Sequence, residues 1–369
     1  MYISSETRLF IREHSTDDVR TLALQSKKYP DVDMPVAITQ IAGRQIAAEK
    51  IPSWKKIEDI RYPKHLSLEQ CSSEITAYYK AGLLQGDSLT DLTGGFGVDC
   101  SFLAEKFKSV TYVERQEELC GIAAHNFPIL GLNHINVKNE DGIAHLKAMS
   151  PVDCIFLDPA RRNEHGGKAV AISDCEPDVA ALEGLLLNKA KQVMVKLSPM
   201  LDLSLALREL QQTQEVHIIS VNNECKELLL ILGQTIPQEI KIHCVNLSTK
   251  GEQEEQHFTF TREQEQCSQC NYTDSLDEYL YEPNASLLKA GAFKSLSSAF
   301  PIRKLHPNSH LYTSDTFIEN FPGRIFRIVN QCSFNKKEVK ENLADLKKAN
   351  VTVLSLIHIS EPTRLRRIS

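Results

Sequence analysis

The run Asp91-Leu-Thr-Gly94-Gly95-Phe-Gly97-Val-Asp99 joins an acid to a glycine-rich bend. Glu114, Asp141 and the tetrad Asp158-Pro159-Ala160-Arg161 follow it at the spacing of successive strand ends. Glycines let a backbone turn sharply and approach a ligand with no side chain in the way. The amphipathic stretch 98–107 behind them reads as a helix whose first turn offers unpaired N–H groups to a carboxylate or phosphate. Val110-Thr-Tyr-Val113 reads as a strand ending in Glu114, where a carboxylate can accept hydrogen bonds from ribose hydroxyls. His134-Ile-Asn-Val-Lys138 reads as a third strand, followed by Asp141 at a position suited to the exocyclic amine of adenine. A fourth, Asp153-Cys-Ile-Phe-Leu157, ends directly in Asp158-Pro159. One cleft for a nucleotide-like ligand is implied.

A glycine loop followed about twenty residues later by an acid is also the fingerprint of nicotinamide dehydrogenases. Here Cys100 occupies the third glycine position of that motif, so its close helix-to-strand packing is not specified. The four acidic signals in order resemble instead the motifs of class I methyltransferases that use S-adenosylmethionine. Asp91 to Gly97 is similar to their first motif, and Glu114, Asp141 and Asp158-Pro159 to their second, third and fourth. The runs Ser67-Leu-Glu-Gln-Cys-Ser-Ser-Glu74, Asp158 to Arg162, Asp174-Cys-Glu-Pro-Asp178 and Pro283-Asn-Ala-Ser-Leu-Leu-Lys-Ala-Gly291 resemble a bacterial subgroup of these enzymes. In that subgroup a ferredoxin-like segment and a THUMP-like domain follow the catalytic domain.

The resemblance implies that Gly95 and Gly97 admit the methionine end of the cofactor, Asp91 holds its ammonium group, Glu114 its ribose and Asp141 its adenine. Asp158 and the carbonyl beside Pro159 would face the acceptor. THUMP domains bind RNA, so RNA is the implied substrate and partner. Amino-methylating relatives usually place a second proline and an aromatic residue where this chain has Ala160 and Arg161, which argues against exocyclic-amine chemistry. Carbon-5 pyrimidine methylation needs a nucleophilic cysteine, and Leu197-Ser198-Pro199 offers serine. A non-catalytic binding protein and a methyltransferase of a small molecule or protein are the alternatives.

Arg161 and Arg162 could clamp a substrate phosphate or pair with Asp174, Glu176 or Asp178, because a bidentate guanidinium suits either partner. Lys289 could contribute to an RNA face or pack internally. Cys267-x-x-Cys270 is half a zinc site with no second pair, so no metal is expected. His125, His134, His145 and His165 read as packing or surface residues.

The elements that must position these groups alternate strand and helix, which implies an α/β fold with a seven-stranded Rossmann-like sheet closed by a hairpin at 216–232. Residues 1–66 read as an N-terminal helical cap. The methyltransferase domain is expected at 67–269, opened by one helix running from Ser67 through Ala81 with Ser67-x-x-Gln70 as its capping box. Small α+β C-terminal domains follow, a ferredoxin-like segment at 270–318 and a THUMP-like domain at 319–353, with a helix over 336–349 capped by Asn335. The run Leu354-Ser-Leu-Ile-His-Ile-Ser-Glu-Pro-Thr-Arg364 resembles the translation of a transposase adapter. Residues 354–369 are therefore expected to be a sequencing artefact, with the THUMP-like domain truncated and a locally disordered strand near Val351.

The composition, 42% hydrophobic and 24% charged over 369 residues, allows two or three domains. The N-terminus lacks the apolar stretch of a secretory signal, and cysteines such as Cys100, Cys154 and Cys244 lie inside apolar patterns. A cytoplasmic enzyme in a reducing compartment, with no membrane partner, is expected. The net charge is -6, yet residues 281–353 hold eleven Lys or Arg against six Asp or Glu. Phosphate contacts would more naturally come from there.

Overall fold

The computed structural model describes residues 3–161, 172–249, 255–332 and 335–342, with the side chains of Arg161, Lys336 and Val339 excepted. Its chain divides into two units, Met1–Val216 with Glu227–Gln238, and His217–Lys226 with Glu239–Ser369. Among the described residues no helix is long and apolar enough to cross a membrane.

The main sheet comprises β1 (Ser88–Asp91), β2 (Ser109–Val113), β3 (Ile135–Lys138), β4 (Val152–Leu157), β5 (Ala190–Leu197), β6 (Thr213–Val221), β7 (Glu224–Leu232), β8 (Lys241–Leu247) and β9 (Gln256–Thr261). Their order is β3-β2-β1-β4-β5-β7-β6-β8-β9. The expected seven strands are all present, and β8 and β9 extend the sheet beyond β6, which would otherwise leave an open edge. The pairings of β1 with β2 and β4, of β2 with β3 and of β4 with β5 are parallel, whereas β7 runs antiparallel to β5. Apolar runs explain the parallel core: Ile155, Leu157, Val193, Met194 and Val195 are wholly buried, as strands covered on both faces must be.

Of the helices in the first unit, α1 (Ser5–Glu13), α2 (Val19–Leu24), α3 (Met34–Lys50) and α4 (Pro52–Lys55) form the N-terminal region. Ser4, Asp18 and Asp33 cap the first three, and Pro35 sits in the opening turn of α3, where its missing N–H costs nothing. Phe10, Ile11, Leu22, Met34, Ala37 and Ile41 form one core there. A second core joins Ile51, Trp54, Tyr62 and Leu68 to Phe96 and Val98 of the glycine loop. The N-terminal helices therefore do more than cap the domain: they grip the loop, with the Trp54 ring edge-on to Phe96 at 5.2 Å.

The single helix expected from Ser67 to Ala81 is instead two, α5 (His65–Gln70) and α6 (Glu74–Ala81). Cys71 and Ser73 are extended between them, and neither Ser67 nor Gln70 forms a capping box, since α5 begins at Lys64 without a side-chain cap. The interruption turns Ser72 inward, into a buried ionic cluster.

Beyond β1, α7 (Val98–Ala104), α8 (Glu117–Ile129), α9 (Gly142–Ala148), α10 (Val179–Lys189) and α11 (Leu203–Glu209) alternate with the strands. Asp141, Asp178 and Asp202 cap α9, α10 and α11.

In the second unit, β10 (Tyr279–Pro283), β11 (Arg303–Lys304), β12 (Tyr312–Ser314) and β13 (Gly323–Arg327) form an antiparallel sheet in the order β11-β12-β10-β13. The helices Ala285–Ala290 and Phe293–Ala299 lie between β10 and β11 in sequence, and Tyr281 and Tyr312 are fully buried. The expected C-terminal helix is described over Lys336–Asn342, where Asn335 accepts the Glu338 N–H at 2.9 Å. The expectations for Val351 and for 354–369 lie outside the described residues.

Candidate active site

Gly95 and Gly97 both have positive φ, at 55° and 86°, so the loop after β1 is built on conformations that side-chain-bearing residues avoid. The loop is pinned from three sides. Its Gly94 N–H donates to the Val113 carbonyl at 2.8 Å, Tyr112 Oη donates to the Gly95 carbonyl at 2.6 Å, and Phe96 is held by Trp54. A Cβ added at Gly95 would meet only the Thr93 carbonyl, at 3.8 Å, so the space beside this backbone is open.

Glu114 accepts the Gly95 N–H at 2.9 Å with Oε2 and the Gln116 N–H at 2.8 Å with Oε1. Its carboxylate thus sits directly against the loop. Asp141 caps α9 by accepting the Ala144 N–H at 2.9 Å. Next to it, Gly142 lies so close to the loop that a Cβ would come within 2.3 Å of the Leu92 carbonyl oxygen. Asn139 ties the same segment to β2 by donating to the Glu114 carbonyl at 2.9 Å. Asp158 closes the group: its N–H donates to Thr93 Oγ1 at 2.6 Å. Asp91, the loop, Glu114, Asp141 and Asp158-Pro159 therefore meet at the carboxyl ends of β1 to β4, where open α/β sheets bind ligands.

These acids are not equivalent. Asp91 is 1% exposed and accepts the Thr93 N–H at 3.0 Å. Burial, aided by the charges of Asp99, Asp158 and Glu114 and opposed by the Thr93 N–H, raises its pKa well above that of an ordinary aspartate, and its place is beneath the loop as a buttress. Asp158 is less enclosed, with its side chain 36% exposed. Burial raises its pKa too, but Lys196 opposes the shift.

Behind Asp158 lies a cluster that the motifs do not announce. Lys196 Nζ lies 2.5 Å from Asp158 Oδ2, 3.2 Å from Asp99 Oδ2 and 3.1 Å from Ser72 Oγ. Lys80, wholly buried, places its Nζ 3.0 Å from Asp99 Oδ1, 2.5 Å from Glu227 Oε2 and 3.0 Å from Ser72 Oγ. Each ammonium group thus has three acceptors, and Ser72 donates to Asp99 at 2.7 Å while accepting from both lysines. Burial alone would raise Asp99, but Lys196 and Lys80 outweigh it and keep that acid ionised below the ordinary range. Burial alone would lower Lys196, yet Asp158, Asp99 and Glu227 raise it well above a free lysine. The available signal in the sequence was a charge inside each apolar run: Lys196 in Val-Met-Val-Lys-Leu, and Glu227 before Leu-Leu-Leu-Ile-Leu.

Arg162 and the side chain of Arg161 lie outside the described residues, as does His165. Of the acids considered as their partners, Glu176 pairs with Arg115 at 2.8 Å and Asp178 caps α10. Lys289 lies on the helix Ala285–Ala290 of the second unit. His125 Nε2 lies 3.0 Å from the Asp59 carbonyl, and His134 Nε2 lies 2.9 Å from that of Ala104.

Residues 37–163 match the family model of protein-L-isoaspartate(D-aspartate) O-methyltransferase, and residues 279–322 match a ferredoxin-like domain. No curated protein matches the chain. The crystal structure of a putative methyltransferase from Porphyromonas gingivalis W83 is similar over 97% of this chain and 92% of its own, at 34% identity and a TM-score of 0.83. More distant are a modification subunit of a putative type I restriction enzyme from Vibrio vulnificus YJ016 and an rRNA methylase from Streptococcus thermophilus. The first has 10% identity, 55% and 56% coverage and a TM-score of 0.37; the second has 15%, 43% and 93%, and 0.32. Identity sustained along nearly the whole chain decides the matter: this protein belongs to the class I methyltransferase family of the Porphyromonas gingivalis protein, with a ferredoxin-like domain following the methyltransferase domain.

Proposed function

We propose that the protein is an S-adenosylmethionine-dependent methyltransferase acting on RNA in the cytoplasm by direct in-line transfer. The observation that carries this reading is the placement of one partly exposed carboxylate, Asp158, beside an open glycine loop gripped by Glu114. S-Adenosylmethionine supplies an electrophilic methyl group on a sulfonium. The residues present suit it: open backbone at Gly95 for the methionine end, with Gly97 packed against the Phe127 ring to hold the bend, the Glu114 carboxylate for the ribose, and the Asp141 segment for the adenine. Asp91 acts through the loop that it buttresses. Holding donor and acceptor in line supplies roughly 7–11 kcal/mol of the barrier, more than the factor of about 10²–10⁴ from proton transfer, so rigidity of this loop matters most.

RNA as acceptor is supported by charge. In the first unit Arg8, Arg12, Arg44 and Arg61 line a cleft of about 280 Å³ with Glu58 and Asp59 as its acids. Burial and the neighbouring Arg8 depress the Arg61 pKa, which an incoming phosphate would relieve. Arg161 and Arg162 are further proposed contacts of the first unit, and Lys289 with a THUMP-like segment at 319–353 are those of the second taken by itself. A protein carboxylate acceptor, suggested by the match over residues 37–163, fits less well. It has no proton to give up and would be repelled by Asp158.

The test is transfer of labelled methyl groups from S-adenosylmethionine into total RNA of cells lacking the gene. Label in RNA that disappears with Asp158→Ala is expected. Label in protein, or none in RNA from a protein that binds the cofactor, would refute the reading.

A further inference from the structure

We propose that Lys196 is a positioning residue that holds Asp158 as the proton acceptor for a hydroxyl, so that the methylated atom is the ribose 2′-oxygen of RNA. This rests on the RNA reading above and names its acceptor atom. Three observations carry it. Lys196 Nζ is 2.5 Å from the Asp158 oxygen Oδ2 and is itself braced by Asp99 and Ser72, so the carboxylate has a fixed direction at the mouth of the site. A second buried lysine, Lys80, braces the same Asp99 and Ser72 against Glu227. Finally, the exposed residue after Asp158-Pro159 is Ala160, which offers no ring on which a flipped base could stack.

The chemistry separates the acceptors. As the acceptor oxygen bonds to the methyl carbon, the carbon–sulfur bond breaks and its electron pair stays on sulfur. The hydroxyl proton becomes strongly acidic as that bond forms and passes to Asp158, leaving a neutral ether. A carboxylate therefore suffices as base, although it could not ionise a free alcohol beforehand. A hydroxyl must shed its proton as it is methylated whereas a ring nitrogen of a base need not, so a carboxylate held in one orientation by Lys196 suits the hydroxyl. Within an RNA strand the free hydroxyl is the 2′-OH.

The groups facing Asp158 are Lys196 on β5, Asp99 on α7, Lys80 on α6 and Asp91 on β1. Burial lifts Asp158 and Lys196 opposes it, so Lys196→Met should raise the Asp158 pKa further. Titration of the protein labelled with carbon-13 in its aspartate carboxyls, with Asp158 assigned from Asp158→Asn, reads this without turnover. The acidic limb of the rate profile should move to higher pH by the same shift, kcat should fall by about 10²-fold or more, and cofactor affinity should change less than about threefold. Lys196→Arg should restore both the titration and much of the rate. An unchanged titration and profile in Lys196→Met would overturn the positioning role.

Wild-type protein tests the atom independently of any variant. Total RNA from cells lacking the gene, methylated by the full chain and digested, should yield a 2′-O-methyl nucleoside whose 3′ linkage resists alkali. A base-methylated nucleoside would overturn this inference and leave the RNA reading standing. Cofactor binding with no methyl transfer to RNA would overturn both.

Discussion

Lys80 Nζ lies 2.5 Å from Glu227 Oε2, joining the helix before β1 to a strand 147 residues later. Lys80 has no exposed side-chain surface, so this pair forms only if the two elements meet with all three acceptors in place. Breaking a buried pair strands its partner charge and costs about 3–5 kcal/mol. Lys80→Met should lose that much in urea unfolding. The double variant Lys80→Met with Glu227→Leu should lose less than the sum of the two single variants, with a coupling of about 0.5–3 kcal/mol. Simple additivity would show that the pair is not coupled.

Gly142→Ala would drive a Cβ to within 2.3 Å of the Leu92 carbonyl, which is backbone and cannot swing aside. The loop after β1 must then shift. We expect S-adenosylmethionine affinity by calorimetry to drop at least tenfold, with about 1–3 kcal/mol lost in stability. Gly121 on α8 is the control, because a Cβ there meets nothing within 4 Å. Gly121→Ala should stabilise by about 0.5–1 kcal/mol and leave affinity unchanged.

Glu114→Gln keeps the shape of the side chain but replaces one of the two oxygens that accept the Gly95 and Gln116 N–H groups with a donor. One backbone N–H then faces an NH₂ group, at a cost of about 1–3 kcal/mol. Weaker cofactor binding and a lower melting temperature should appear together. Loss of affinity with stability intact would instead mean that Glu114 serves the ligand alone.

His217, in the second unit, is buried beneath the stacked ring of His243, 4.5 Å away between centroids. Burial first, then the charge of His243, lowers its pKa from 6.5 to about 3. Between those values the unfolded chain takes up the proton and the folded one does not. Its contribution is therefore fully present above pH 6.5 and is lost as pH falls, by about 1.4 kcal/mol per unit over that window. Urea titrations at pH 7, 5 and 4 should show this slope, and His217→Asn should flatten it. An equal slope in the variant would place the acid sensitivity elsewhere.

The sequence by itself determined the alternation of strands and helices, because the parallel core is written as apolar runs such as Cys-Ile-Phe-Leu and Val-Met-Val. It also determined the acids at the strand ends, since a glycine bend followed by Glu114, Asp141 and Asp158 is a local pattern that survives any packing. Local signals misled at Cys71-Ser72-Ser73, where helical periodicity ran across a break made by tertiary contacts. Only the tertiary structure decided what fills that break and what stands behind Asp158. Ser72, Lys80, Asp99, Lys196 and Glu227 come from five separate elements, and each looks like an isolated charge or hydroxyl in its own stretch. What makes them one cluster is their burial together, where a low dielectric leaves each charge no partner but the others.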